Sequence, residues 1–324
     1  GLTRDAAFAQ RLIALARASR RLGPHKTTLA QADIFYARNL DMLLLAGWAK
    51  KMSRARARIV YECLDIHRFM TREDGLGGAM RALERDLLKG CTRVIVSSPA
   101  FEREYFARRH PGRYQARLIE NRMPPGFAYG PRPAPRPAAV CGLNTGWFGN
   151  LRCGRSLELL LGVAARFPER VHLSLRGAPA RAEFADFEAA VAGRSNVRFG
   201  GRYRWPEDLS ALYREIDLVW AGDFHDAGAN SKWLLPNRLY EGGYYGAPPL
   251  APADSETGRW IEAHGFGFTL AEPLEQTLPE FVASLSQGEI AAARSRLLAA
   301  PESLFLQDEA EIPALLRDIM GAPA

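Results

Sequence analysis

Between Asn230 and Ala251 the chain reads N-S-K-W-L-L-P-N-R-L-Y-E-G-G-Y-Y-G-A-P-P-L-A. This stretch gathers Lys232, Asn237, Arg238 and Glu241 around a short apolar run and follows them with Gly242, Gly243 and Gly246. The spacing from Pro236 to Tyr245 predicts a helix that begins at proline, whose missing N–H costs nothing in a first turn. A helix N-terminus collects unpaired N–H groups and partial positive charge, so it favours phosphate or carboxylate. Glu241, one turn in, can accept hydrogen bonds from two neighbouring hydroxyls, as on a ribose. The same residues also suit a plain amphipathic helix whose polar face closes on glycine.

Positioning such a group takes a frame, and the rest of the chain supplies one. Strand-like runs at Asp33–Tyr36, Arg58–Tyr61 and Val94–Ser97 alternate with helical spacing over Leu40–Met52 and Leu76–Gly90. The alternation resumes with a strand over Ala139–Trp147, a helix over Ser156–Phe167 and a strand over Val171–Arg176. It continues with a helix over Arg181–Ala192, a strand over Val197–Phe199, a helix over Pro206–Arg214 and a strand over Leu218–Trp220. The helix already described and a strand over Pro249–Ala251 complete the series. Strands alternating with helices predict an α/β protein with parallel sheets covered on both faces. Met123–Pro137 carries six prolines and two glycines, a density that predicts a stiff linker. The domains expected are therefore 1–122, a linker 123–138, and 139–324, with a ligand cleft between the carboxyl ends of the two sheets. The chain opens on a helical pattern (Arg4–Arg21) where such a domain begins on an apolar strand. One or more first β-α units of the N-terminal domain are thus expected to be missing from this sequence.

Apolar residues make up 47% of the 324 and charged residues 24%, the balance of a globular protein. No run approaches the roughly 20 apolar residues that cross a bilayer, and Gly1–Gln10 lacks the apolar core of a signal peptide. Cys63, Cys91, Cys141 and Cys153 are scattered with no C-x-x-C pair, which predicts reduced, buried thiols in a cytoplasmic protein and no zinc. The net charge of +7 is unevenly placed: residues 1–139 hold 26 Lys and Arg against 12 Asp and Glu, and the remainder 17 against 24. That asymmetry predicts an anionic partner for the first half, such as a membrane surface or a phosphorylated acceptor, unless the arginines are merely solvated. No aromatic-basic motif accompanies the charge, so nucleic acid is not expected.

Several ordered segments now resemble one family. The second half reads G-W-F-G-N-L-R-C-G-R-S-L-E-L-L, L-S-L-R-G, N-V-R-F-G-G-R-Y-R-W-P-E-D-L-S-A-L-Y-R-E-I-D-L-V-W-A and P-N-R-L-Y-E-G-G-Y-Y-G-A-P-P-L-A. This is similar to the donor-binding domain of GT-B glycosyltransferases, nearest to glycosyltransferase family 4. Y-E-C-L-D-I-H, R-V-I-V-S-S-P-A-F and L-I-E-N-R resemble that family's acceptor domain, and the wording resembles a bacterial exopolysaccharide-building subgroup. The likeness runs from about Asp33 to Ala271.

The resemblance implies a GT-B fold, two Rossmann-like domains facing a cleft. It also implies transfer of a sugar from a nucleoside-diphosphate donor, with a UDP-sugar expected, to a lipid-linked or oligosaccharide acceptor. Gly149 and Arg155 stand at the spacing of the family's loop glycine and phosphate-binding cation, with Arg152 as an alternative. Glycine lets backbone N–H groups approach a pyrophosphate, and a guanidinium offsets charge growing on the departing diphosphate. Glu241 matches the second of two family glutamates, the one at the ribose. The first, at the transferred sugar, is replaced by Trp233, with Asp223, Asp226, Asn230 or Lys232 as possible substitutes. Lys232 or Arg238 is the candidate second phosphate cation. Asp65 and His67, with Glu62 as a third candidate, correspond to the motif that orients or deprotonates the acceptor hydroxyl. Asn121 matches an asparagine of structural role. With no D-x-D triplet, no metal or other cofactor is expected. The expected place is the cytoplasm, peripheral on the inner membrane. The missing glutamate leaves open a catalytically degenerate scaffold, and the fold leaves open a sugar-nucleotide epimerase.

Overall fold

In the computed structural model, which describes residues 8–134, 142–180, 183–226 and 230–320, the apolar runs gather into two sheets, each parallel throughout. Two units result: residues up to Glu120 together with the closing segment from Ile312, and Asn121–Glu311.

The first unit holds β1 (Ile34–Arg38), β2 (Arg58–Cys63), β3 (Cys91–Val96) and β4 (Ala116–Leu118), side by side in that order. Ile59, Val60, Tyr61 and Cys63 of β2 are all buried, the continuous burial of a parallel strand covered on both faces. Helices Asn39–Ser53 and Gly75–Leu88 are the crossovers. The first starts at Asn39 with φ +67°, a left-handed conformation that a short amide side chain tolerates. The second is capped by Asp74, which accepts from the Gly77 N–H at 2.9 Å.

The closing helix, Glu311–Met320, belongs here. Leu315 and Ile319 pack on Val60 and Ile95, and Arg93 donates to both Asp318 oxygens at 3.1 and 2.8 Å. The boundary expected from sequence, with 139–324 as one domain, therefore differs from the observed division at this end. An apolar face predicts burial but does not name the sheet that buries it.

The second unit orders its strands β10-β9-β8-β5-β6-β7: β5 is Leu143–Leu151, β6 Val171–Pro179, β7 Val197–Phe199, β8 Leu218–Trp220, β9 Pro249–Pro252 and β10 Phe268–Leu270. One core layer packs Trp147, Leu173, Leu175 and Trp220 against helices Gly154–Arg166 and Leu274–Ser284. The other packs Phe148, Val219 and Ala251 against helices Leu209–Arg214, Asn237–Tyr244, Glu256–His264 and Gln287–Ala299.

The proline-rich run is not a free linker over its described part. Met123 donates to the Phe305 carbonyl at 2.8 Å and accepts from Gln307 at 2.9 Å. The Tyr244 and Tyr245 hydroxyls donate to the Gly130 and Tyr129 carbonyls at 3.0 and 2.7 Å. Arg132 donates to the Tyr244, Leu297 and Ala300 carbonyls. Proline density forbids helix and strand, yet it does not forbid packing. The linker residues 135–138, the first residues of the strand expected from Ala139, Cys141, and Arg181 and Ala182 of the helix expected there lie outside the described residues. Among the described residues, no helix is long and apolar enough to cross a membrane.

Candidate functional site

Strand order places the site in the second unit. From β5 the chain builds outward through β6 and β7, then returns to add β8, β9 and β10 on the other side. The crossovers part between β5 and β8, and a parallel sheet binds ligands in the crevice at the carboxyl ends of such strands. Gly149 lies near the end of β5 with φ +107°, and nothing approaches within 4 Å of where a side chain would begin. Its neighbour across the strands, Gly177, has φ +135°, and a Cβ there would collide with the Gly149 carbonyl oxygen. Both positions demand glycine: one keeps its backbone approachable, the other lets two strands close.

Arg238 comes to this crevice from the second residue of helix Asn237–Tyr244. It is 8% exposed and donates to the Phe148 carbonyl at 3.4 Å and the Gly222 carbonyl at 3.1 Å, so its guanidinium spans the ends of β5 and β8. Its Nε–H is buried with no hydrogen-bond partner. Burial pulls its pKa below the usual arginine value, with Asp223 acting in the opposite direction. Arg152, just past β5, pairs with Asp223 at 3.4 Å, and Asp223 also accepts from the His225 N–H at 2.9 Å and the Ser231 hydroxyl at 3.0 Å.

Arg155 is engaged otherwise. From the first turn of helix Gly154–Arg166 it donates to Glu272 at 2.7 and 3.0 Å and to Glu275 at 3.0–3.2 Å. Its guanidinium also lies 4.7 Å from the centre of the Phe224 ring. Hydrogen bonding to Glu272 holds its pKa above the usual arginine value. One cation here faces two carboxylates, so any other anion must compete with both.

Glu241 is buried, 5% exposed. Its Oε1 accepts from the Trp205 indole N–H at 3.0 Å and its Oε2 from the Tyr213 hydroxyl at 2.8 Å. Desolvation raises its pKa above the usual carboxylate value, and the Tyr213 and Trp205 hydrogen bonds and Arg238 pull it back. Lys232, on the short helix Asn230–Trp233, pairs with Asp254. Asn237 is exposed at the first position of its helix, where backbone N–H groups have no intrahelical partner. Asn121 donates to the Leu235 carbonyl at 3.2 Å, tying down the loop that leads into that helix.

In the first unit, Asp65 and His67 follow β2. The His67 Nδ1 accepts from the Phe69 N–H at 3.3 Å and caps the turn Arg68–Thr71, which leaves a neutral ring's proton on Nε2. Both residues line a cavity of about 420 Å³ with Asn39, Tyr61, Glu84 and Tyr105. Glu62 is paired with Arg38 at 2.7 Å.

The fold thus brings Gly149, Arg152, Asp223, Arg238 and Glu241 into one unit around one pair of strand ends, and Asp65 with His67 at another. Sequence reasoning missed Trp205 and Tyr213, the donors to Glu241, and Glu272 and Glu275, the partners of Arg155. The one available signal was the W-P pair in R-Y-R-W-P, an aromatic in a loop that no apolar periodicity explains.

Two parallel-sheet α/β units of this topology define the GT-B fold of glycosyltransferases. The chain belongs to the family of the succinoglycan biosynthesis protein ExoL of Rhizobium meliloti, to which it is 38% identical over 323 residues, 98% of this chain and 80% of that protein. No family model matches it. Solved structures agree on the fold. Anabaena Alr3699/HepE in complex with UDP and glucose superposes with a TM-score of 0.73 at 17% identity, covering 95% of this chain and 83% of that one. Sucrose-phosphate synthase from Thermosynechococcus elongatus gives 0.68 at 16% identity, covering 95% and 79%. The apo lipopolysaccharide outer core galactosyltransferase WaaB gives 0.59 at 14% identity, covering 99% and 82%.

Proposed function

We propose that this chain is a glycosyltransferase of exopolysaccharide assembly that takes its sugar from a UDP-sugar, in the manner of glycosyltransferase family 4. The observation that carries the reading is Arg238: a buried guanidinium at the ends of β5 and β8, with an N–H that no protein atom accepts. A buried cation left short of acceptors is costly unless an anion completes it. Arg152, Gly149 and the start of helix Asn237–Tyr244 lie around the same strand ends, and Glu241, a turn deeper, has acceptor capacity for ribose hydroxyls. In transfer, the bond from the sugar's anomeric carbon to the diphosphate breaks, a bond to the acceptor oxygen forms, and the acceptor's proton passes to a base, Asp65 or His67, or to the departing diphosphate. Arg238, Arg152 and Arg155 offset the charge on the departing diphosphate, while Asp65 or His67 orients the acceptor hydroxyl. With arginines and a helix N-terminus to neutralise the phosphates, the reaction needs no metal, and activity survives a chelator.

HepE holding UDP and glucose, and the name of the ExoL relative, support the choice of donor and pathway. The test is transfer and donor hydrolysis across UDP-, GDP- and ADP-sugars, repeated with Arg238→Ala and Glu241→Ala. A UDP-sugar turned over by the native chain and not by these variants is the expected result. The absence of the first family glutamate favours a second reading, a degenerate scaffold, which any such turnover eliminates; conversion of the donor without acceptor would instead mark an epimerase. The acceptor is proposed to be lipid-linked, with the first unit peripheral on an anionic membrane. Among the described residues, ten of the twelve exposed large apolar side chains lie in that unit, Trp48, Ile312, Leu316 and Met320 among them. Basic residues near a membrane surface add about 1 kcal/mol each, so binding to anionic liposomes should weaken as salt rises.

A further inference from the structure

Among the described residues of the second unit, the large apolar side chains left exposed are Phe127 (50%) and Trp205 (38%). They touch each other, edge to face, with ring centres 4.9 Å apart, and Tyr129 adds a third ring 6.0 Å from Trp205. Exposed apolar side chains that form one contiguous patch, rather than standing singly, are candidates for a binding surface. The pair also borders Glu241. Of the two donors to that carboxylate, Tyr213 is in the core and Trp205 is at the surface, so the indole is what covers Glu241 on the solvent side. A carboxylate has about four acceptor positions. Trp205 takes one on Oε1 and Tyr213 one on Oε2, which leaves one on each oxygen, the demand of two vicinal hydroxyls.

We infer that Trp205 is a positioning and specificity-determining residue for the donor's nucleoside: its N–H fixes the Glu241 carboxylate for a ribose diol, and its exposed ring, braced edge to face by Phe127, offers the face on which the base stacks. The inference rests on the reading of Glu241 as the ribose acceptor. It explains why an aromatic pair is kept at the surface beside a buried acid. The groups whose charge is coupled to Glu241 are Tyr213, Tyr203, Tyr129, Tyr245 and Arg238. None of these titrates in the acid range, and the terminal phosphate of UDP, which gains a proton at a pH of about 6, is common to every variant, so a shift of the acid limb between variants reports the carboxyl.

The probes are UDP, 2′-deoxy-UDP and inorganic pyrophosphate, measured by calorimetry on the intact chain. Trp205→Phe keeps the ring and removes the N–H. It should weaken UDP about tenfold, the order of one hydrogen bond to a charged group, and erase most of the preference for UDP over 2′-deoxy-UDP. It should also move the acid limb of UDP binding to higher pH, because a donor that favours the charged carboxyl is gone. Trp205→Ala should lose roughly a further tenfold through stacking, while pyrophosphate binding stays constant in both variants and certifies the fold. Native UDP affinity, ribose preference and pH limb in Trp205→Phe would overturn the inference. Failure of the underlying reading looks different: Glu241→Gln would then keep the ribose preference, or the native chain would ignore UDP.

Discussion

Replacing Arg238 by methionine separates a cation held for a ligand from one held for the fold. In the free protein the guanidinium gains two charge-assisted hydrogen bonds, at 3.1 Å to Gly222 and a long one at 3.4 Å to Phe148. Together these contribute about 2–3 kcal/mol. Against them stand a desolvation penalty of several kcal/mol for a buried ion and about 1–3 kcal/mol for the unaccepted Nε–H. Orphaning the Phe148 and Gly222 carbonyls offsets part of that gain, at about 1–3 kcal/mol each where no other donor reaches them, so the sum for Arg238→Met lies near zero. That departs from the rule for a buried ion pair, where removing one partner costs about 3–5 kcal/mol. Binding, by contrast, should fall. Loss of one bidentate phosphate contact, about 2–3 kcal/mol, weakens UDP roughly 30- to 150-fold. Chemical denaturation of the free protein and titration with UDP read the two quantities independently. A variant that unfolds several kcal/mol more easily yet binds UDP as before would show that Arg238 serves the sheet, and the site would lose its centre.

Glu241, raised by burial, predicts UDP binding that weakens as pH falls, beginning above the usual carboxylate range, because the protonated acid surrenders an acceptor for the ribose. The stability contribution of this group runs the other way: with its folded pKa raised, the cost of burying its charge shrinks as pH falls, and Glu241→Gln should remove this group's part of both trends, leaving in binding only the protonation of the UDP terminal phosphate. Neutralising the partners of Arg155 in a Glu272→Gln, Glu275→Gln double variant should change stability by less than about 1 kcal/mol, since the cluster is partly exposed. The same variant should tighten donor binding several-fold in a UDP titration by releasing a cation to the phosphates; weaker or unchanged binding would place Arg155 outside the site. Gly177→Ala combines a disfavoured φ with a clash against the Gly149 carbonyl, so a loss above about 3 kcal/mol is expected in a melting experiment.

Much of the frame was legible because a parallel sheet announces itself through alternation. Buried strands such as Arg58–Cys63 and Val171–Pro179 stand between helices with clear apolar spacing. Gly149 and Glu241 were singled out for a different reason, the first by its spacing to Arg155 in the family resemblance and the second by its place one turn into a short helix. The structure gives Gly149 a positive φ and buries Glu241. What escaped was the environment of each side chain. Trp205 lies 36 residues from Glu241, and Glu272 lies 117 from Arg155, so no local pattern links them. The rank of the cations changed for the same cause. Arg155 leads on spacing alone, whereas burial and an unsatisfied N–H single out Arg238, and both depend on strands brought together by the fold. The strand Ala116–Leu118 is only three residues long, too short for any period to show.

The closing helix has a consequence for how the polypeptide comes into being. Because residues from Ile312 onward complete the first unit, Val60 and Ile95 wait for Leu315 and Ile319 until the whole of Asn121–Glu311 has been made. Part of the first unit's apolar core therefore stays uncovered through the synthesis of the intervening unit. Removing residues 312–320 would accordingly injure the first unit and spare the unit that adjoins them in sequence.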